Sequence, residues 1–302
     1  MRFNQIHILL AVADSGSVRG AARKLEVSPP AVTKSLRQLE EELRVHLFER
    51  TPHGLVLTQA GRAFTARART VQSELRKAKE DLAALSGGEA ESVAVGASST
   101  EMALLVPDAV AELRRQFPGS RVRVVEGRRA TLLPLVRDGT LDFAACGRIT
   151  SDSESGLAFR PLFRSEYIVV ARKGHPLRNE RSLARLANAE WVALATPRGQ
   201  VGLVEQAFVS ADLAPSRPPT IECESFNGMV SMLAKTDMLA MIAHRLLTMP
   251  SARDVLQQVH VVEPLPSLTH GMFMRVDNRP TRAVAALLKS VSAVARKLAA
   301  RR

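Results

Sequence analysis

Cysteine is nearly absent. Cys146 and Cys223 are the only two in 302 residues, they stand 77 positions apart, and neither has a second Cys or His at metal-ligand spacing. That leaves no disulfide framework and no zinc module, and both thiols read as small reduced hydrophobes. Long apolar runs are missing too. Nothing approaches the roughly 18 residues of a membrane span, and residues 1–15 lack the basic, apolar and small-residue succession of a signal peptide. The expected location is the cytoplasm, with no membrane partner. Catalytic signatures are equally scarce: there is no HExxH, Walker loop, GxSxG elbow or strand-following GxGxxG, and the seven His residues are scattered. Asp152 and Glu154 lie in a polar loop beside Gly156 and read as solvated. No catalytic residue, metal or cofactor is expected, and the chain is not read as an enzyme.

What is present begins with length and charge. A chain of 302 residues with 46% hydrophobic content has room for about two domains. The net charge of +12 favours a polyanionic partner. Its distribution does not locate the contact, because residues 1–90 hold 14 basic against 10 acidic side chains and residues 91–302 hold 28 against 20.

The stretch from Ser17 to Leu43 reads as a helix, a tight turn and a second helix. Ser28 is an N-cap followed by Pro29 and Pro30, which tolerate the first helical positions because an N–H there has no partner. Val27 and Val32 stand where a hydrophobic staple would, and Val32, Leu36, Leu39 and Leu43 form an apolar stripe at helical spacing. The opposite face carries Pro30, Thr33, Lys34 and Arg37, a hydroxyl and two cations suited to base edges and phosphates. In the preceding helix Ala21 and Ala22 permit a close crossing. A hairpin follows, Leu47 to Arg50 and Leu55 to Leu57 around Thr51-Pro52-His53-Gly54, and a first helix bears Phe3, Ile6, Leu10 and Ala13 on one side. Together these make a winged helix-turn-helix over residues 1–58.

Here the residues become specific. Ser17-Val18-Arg19-Gly20-Ala21-Ala22-Arg23-Lys24-Leu25, Val27-Ser28-Pro29-Pro30-Ala31-Val32-Thr33-Lys34, Leu39-Glu40-Glu41-Glu42-Leu43 and Leu47-Phe48-Glu49-Arg50 resemble the N-terminal signature of LysR-type transcriptional regulators. The resemblance implies double-stranded promoter DNA as partner, with Ser28, Pro30, Thr33, Lys34 and Arg37 on the recognition helix and Arg50 and His53 on the wing. Two positions depart from the family habit: Pro29 stands where a Gln is usual, and His53 where a wing Arg is frequent.

From Thr58 the chain runs to Leu85 without Pro and stops at Ser86-Gly87-Gly88, one helix of roughly 40 Å. Phe64, Ala68, Val71, Leu75, Ala78, Leu82 and Leu85 alternate at spacings of four and three, the a/d stripe of a coiled coil. Residues 59–88 therefore read as a dimerisation linker, the alternative being a helix folded back on its own C-terminal domain.

Beyond Gly88 short apolar strands alternate with helices. Strands are expected at 93–96, 122–125 and 141–145 with a helix over 101–117, giving a βαβαβ unit with a largely parallel sheet. A second unit has strands near 167–171, 191–195, 220–223 and 238–242 and helices near 201–211 and 226–234. Further strands near 259–262 and 271–276 precede a helix over 281–298. The fold class is α/β. By resemblance to the LysR effector domain, itself similar to periplasmic binding proteins, residues 89–302 form two lobes, about 89–161 with 268–302 and about 162–267. The chain would cross between them near 159–164 and 264–270.

The same resemblance places effector contacts on turns leaving the strands: Ser98, Ser99 and Thr100 after the first, Arg129 and Thr131 after the second, Arg148 after the third. It adds Pro197 and Arg198 after Trp191 to Ala195, and Phe226 with Asn227 at a second-lobe helix. Several Arg residues near one cleft favour a small anion, because guanidinium binds carboxylate or sulfonate in bidentate fashion. Ala195-Thr196-Pro197-Arg198-Gly199 and Cys223-Glu224-Ser225-Phe226 resemble the branch that regulates aromatic-acid and aromatic-sulfonate catabolism. The expected protein is a homodimer or homotetramer with promoter DNA, a small effector and RNA polymerase as partners. A second reading stands beside it: a solute-binding or transferase-like α/β protein whose N-terminal helices mediate assembly.

Overall fold

The computed structural model describes residues 1–52, 54–85, 92–148, 154–194, 202–213, 221–277 and 279–300. The chain divides into two compact units, residues 1–88 with 135–141, and residues 89–134 with 142–302.

The first unit opens with α1 (Phe3–Ser15), α2 (Val18–Leu25) and α3 (Pro29–Leu43). Gly16, at φ 64°, ends α1 in the left-handed region that glycine tolerates best, and the Ser17 hydroxyl then caps α2 by accepting the Gly20 N–H at 3.0 Å. Leu9, Val12, Ala21, Val32, Leu39 and Leu47 are buried in one core, with Ala21 and Ala22 sealing the crossing of α2 as their size suggests. Phe3 and Val27 do not join it; each is 42% exposed. The Val27 N–H bonds to the Ala22 carbonyl at 3.0 Å, which closes the turn.

The antiparallel hairpin of β1 (Phe48–Thr51) and β2 (Gly54–Leu57) supplies the wing, and α4 (Gln59–Leu85) follows. Thr58 joins them: its hydroxyl accepts the Gly61 N–H at 2.9 Å and donates to the His46 carbonyl at 2.8 Å. A Cβ on Gly61 would lie 1.9 Å from the Leu47 carbonyl oxygen, so only glycine lets α4 start against that backbone. The stripe along α4 divides. Ala68 is buried and Phe64 half-buried against the first unit's own core, whereas Val71 is 50%, Leu75 38% and Leu82 66% exposed, and Ala78 is exposed too. The side chain of Leu85 lies outside the description.

The second unit begins with β3 (Ser92–Ala97), α5 (Ser99–Leu104), α6 (Val106–Gln116), β4 (Arg121–Glu126), α7 (Arg129–Arg137) and β5 (Phe143–Arg148). The helix expected over 101–117 is two helices, because Pro107 offers no N–H and can sit only in a first turn. Strands β4, β3 and β5 are parallel. Next come β6 (Leu157–Arg172), β7 (Val192–Leu194), α8 (Leu203–Ser210), β8 (Ile221–Cys223), α9 (Phe226–Leu233), β9 (Ala240–Ala243), α10 (Pro250–Arg253), β10 (Leu256–Val259), β11 (Ser267–Arg275) and α11 (Arg282–Ala300). The strand expected at 259–262 lies three residues earlier, paired to β6 through Leu256, Gln257, Gln258 and Val259.

The parallel arrangement expected of the βαβαβ unit holds for β5-β3-β4, within a sheet that is mixed as a whole. Its order is β10-β6-β11-β5-β3-β4, with β9 also on β6, and every pair outside β5-β3-β4 is antiparallel. The departure comes from β6 and β11, which run side by side from Leu157↔Arg275 to Glu166↔Ser267 with a bulge at His270/Gly271. Gly271 is required there, since a Cβ would lie 2.5 Å from both the Arg160 carbonyl and the Phe159 ring. This ribbon connects two separate apolar cores. One gathers Val93, Val95, Leu113, Phe143, Met272 and Leu287; the other gathers Val169, Trp191, Phe208, Met229, Leu233 and Ile242.

Candidate functional site

Two surfaces collect the polar residues that the folding of each unit leaves outward. On the first unit, α3 buries Val32, Leu36 and Leu39 and leaves Ser28, Pro30, Thr33, Lys34 and Arg37 exposed. Ser28 caps α3 in extended backbone without engaging its hydroxyl in the cap. The Thr33 hydroxyl donates back to the Pro29 carbonyl at 3.1 Å, and Arg37 pairs with Glu41 one turn on at 2.9 Å. Lys34 has no ion-pair partner among the described residues. Arg50 is exposed on β1, and His53 lies outside the described residues. A face of hydroxyls and cations on a helix whose other side is locked into a core suits a polyanion.

On the second unit, Ser98, Ser99, Thr100, Gly127, Arg128, Tyr167, Cys223 and Glu224 line a cleft of about 80 Å³. The β3–α5 turn supplies the three hydroxyl residues, the β4–α7 turn supplies Gly127 and Arg128, β6 supplies Tyr167, and the end of β8 supplies Cys223 and Glu224. The Ser98 hydroxyl donates to the Glu101 carboxylate and the Ser99 hydroxyl to Glu126 at 2.9 Å. Burial pushes the Tyr167 phenol's pKa up, and its hydroxyl is hydrogen-bonded to Thr100, so a protonated phenol stands at the wall. Arg128 reaches Glu224 at 2.9 Å.

A model of the LysR substrate binding domain matches residues 86–296, and one of the bacterial regulatory helix-turn-helix protein, lysR family, matches residues 3–62. The chain belongs to the LysR family of transcriptional regulators. Among LysR relatives, the HTH-type transcriptional regulator PcaQ of Agrobacterium fabrum is 29% identical, with 99% of this chain and 96% of that protein covered. The HTH-type transcriptional regulator GbpR of Azospirillum brasilense is 31% identical over 82% of this chain and 72% of its own length. The crystal structure of full-length CbnR complexed with its target DNA shares the fold at TM-score 0.66 and 19% identity, covering 97% of this chain and 100% of that one. This LysR protein is thus a DNA-binding regulator with an effector-binding domain, and the reading as a solute-binding or transferase-like protein with assembly helices gives way.

The effector residues expected from the LysR pattern do not all meet at the cleft. Ser98, Ser99 and Thr100 do. Arg129 is turned away: it pairs with Glu154 and stands 5.7 Å from the centre of the Phe273 ring. Arg148 sits 5.0 Å over the Phe159 ring. Neither Arg lines the cleft. Phe226 packs into the second-lobe core, Asn227 and Thr131 are exposed, and Pro197 and Arg198 lie outside the described residues.

The cleft's cation is instead Arg128, the immediate neighbour of the residue singled out. Beneath the β3–α5 turn lies a pair the sequence did not announce. His270 on β11 donates from Nδ1 to Glu101 Oε1 at 2.6 Å, with side chains 1% and 0% exposed, and its ring stacks on Phe163 at 4.8 Å. His270 Nε2 is buried without a hydrogen-bond partner among the described residues. Cys146, on the neighbouring strand, is held as the thiol because burial raises its pKa and the Glu101 charge adds to that.

Proposed function

We propose that the protein binds promoter DNA as a dimer, and as a tetramer built from dimers, through α3 and the wing, and that a small aromatic-acid-like anion in the cleft alters that binding. The working division is a DNA-binding domain at 1–58, a dimerisation helix at 59–88 and an effector domain at 89–302, acting in the cytoplasm with RNA polymerase as a further partner. The observation that carries the DNA part is the outward face of α3, where Lys34 stands exposed and, among the described residues, without an ion-pair partner beside Thr33 and Arg37.

Dimerisation rests on Val71, Leu75, Ala78 and Leu82, apolar residues at a/d spacing that remain exposed on the single chain. Phe64 and Ala68 are spent on the first unit's own core and drop out of the proposed seam. For the effector, the cleft offers hydroxyls, one guanidinium and a phenol ring wall, a combination that fits a carboxylate joined to a flat ring. Arg128 takes the anchoring role first given to Arg129 and Arg148. The ligand alters DNA binding only insofar as it binds one lobe arrangement better than another.

Leu75→Asp tests the assembly. A charge at the centre of the seam is expected to halve the mass in light scattering and to weaken duplex binding, because each half-site then binds alone. An unchanged mass with unchanged duplex affinity would contradict the coiled-coil dimer.

A further inference from the structure

Three donors at the mouth of the cleft are engaged by carboxylates of the protein itself: Ser98 by Glu101, Ser99 by Glu126 and Arg128 by Glu224. The three carboxylates are not equivalent. Glu101 is fully buried and tied to His270. Glu126 lies on β4 next to the turn that carries Arg128, so its bond with Ser99 stays within one lobe. Glu224 comes from the other side of the cleft, at the end of β8, and its side chain is 71% exposed against 34% for Arg128.

We propose that Glu224 is a resident stand-in for the effector's anionic group: it holds Arg128 across the cleft, and an incoming carboxylate takes its place. The inference rests on the reading of the cleft as an anion site and adds how occupancy is transmitted. Glu224 Oε1 meets Arg128 at Nη2, and a ligand carboxylate that docks in bidentate fashion on an edge of the guanidinium containing Nη2 competes with Glu224 for that nitrogen. Binding therefore exchanges one Arg–carboxylate pair for another, and the exchange severs a polar tie between the β4–α7 turn and the β8–α9 turn. An exposed carboxylate is the right kind of competitor. Its desolvation cost is small and its pair is weak, so a ligand that also brings a ring against Tyr167 can displace it. A buried partner such as Glu101 could not be displaced without leaving a charge stranded.

The test is calorimetric titration of the full-length protein with benzoate, using benzyl alcohol as the uncharged control. Native protein, Glu224→Gln and Arg128→Gln are compared, together with the charge swap Arg128→Glu/Glu224→Arg. Removing the competitor is expected to tighten benzoate binding about threefold to fivefold in Glu224→Gln, in line with the strength of an exposed ion pair. Arg128→Gln is expected to lose benzoate. The swap should melt at the native temperature, because the tie is restored with reversed polarity, yet bind no benzoate. Equal affinity of native protein and Glu224→Gln would overturn the stand-in while leaving the anion site intact. Benzoate bound equally well by Arg128→Gln would remove Arg128 from the site. If Glu224→Gln binds none of benzoate, 4-hydroxybenzoate and benzenesulfonate up to their solubility limits, the anion reading beneath the proposal fails.

Discussion

His270→Ala is expected to destabilise the effector domain by about 3–5 kcal/mol and to lower its melting temperature by about 6–20 °C. The imidazole is the ionisable partner of a carboxylate that water cannot reach, since Glu101 is 0% exposed. Without the ring, Glu101 keeps the Ser98 hydroxyl as its one side-chain donor among the described residues, and a carboxyl group so poorly partnered is costly to hold away from water. The void left between Phe163 and α5 adds to the loss. Removing both partners is expected to cost less than removing one: Glu101→Met/His270→Leu keeps the volume and leaves no charge to desolvate. Denaturant titration of the three variants checks this. A loss under about 1 kcal/mol for His270→Ala would contradict a stabilising His270–Glu101 pair.

The second large effect concerns the recognition helix. Lys34→Ala/Arg37→Ala is expected to weaken duplex binding by about tenfold to a hundredfold at low salt and to reduce the salt slope by about two per protomer, as loss of two phosphate or guanine contacts requires. Stability should stay nearly constant, because both side chains are exposed and the Arg37–Glu41 pair at i, i+4 contributes only about 0.3–0.5 kcal/mol. A duplex affinity equal to that of the native protein would remove this face from the contact. A simultaneous fall in melting temperature would show that the double variant had damaged the domain and not its surface.

The helix-turn-helix was legible because its signals are local. Ser17 and Ser28 sit at helix starts, the apolar residues of α3 fall on one side, and a Pro-Gly turn marks the wing. Caps and periodicity act over a few residues and need no tertiary knowledge. The parallel half of the effector sheet was legible for the same reason. Its antiparallel half was not, since β6 and β11 pair residues more than a hundred positions apart, and an apolar run does not announce the direction of its neighbour. Pro107 was readable and should have broken the helix expected over 101–117.

Part of the cleft's lining, Ser98, Ser99 and Thr100, was legible. The turn after β4 does line the cleft, but which of two adjacent arginines faces it depends on the local path of the backbone. It proved to be Arg128, while Arg129 turns toward Glu154 and Phe273. Glu101 and His270 stand 169 positions apart and gave no local sign. A buried ion pair joins two elements that only the fold brings together. Phe226 was misplaced because an aromatic residue at the start of a helix fits a cleft wall and a core equally well, and the core took it.

Sequence-specific binding to duplex DNA is the protein's central expected property, and fluorescence anisotropy measures it most directly. The native protein is titrated against duplex taken from immediately upstream of its own reading frame and against a scrambled duplex of the same composition, at two salt concentrations. Tight binding to the upstream duplex, weaker binding to the scrambled one and a steep fall with salt are predicted. Equal binding of the two duplexes at both salt concentrations, by protein that is folded, would contradict it.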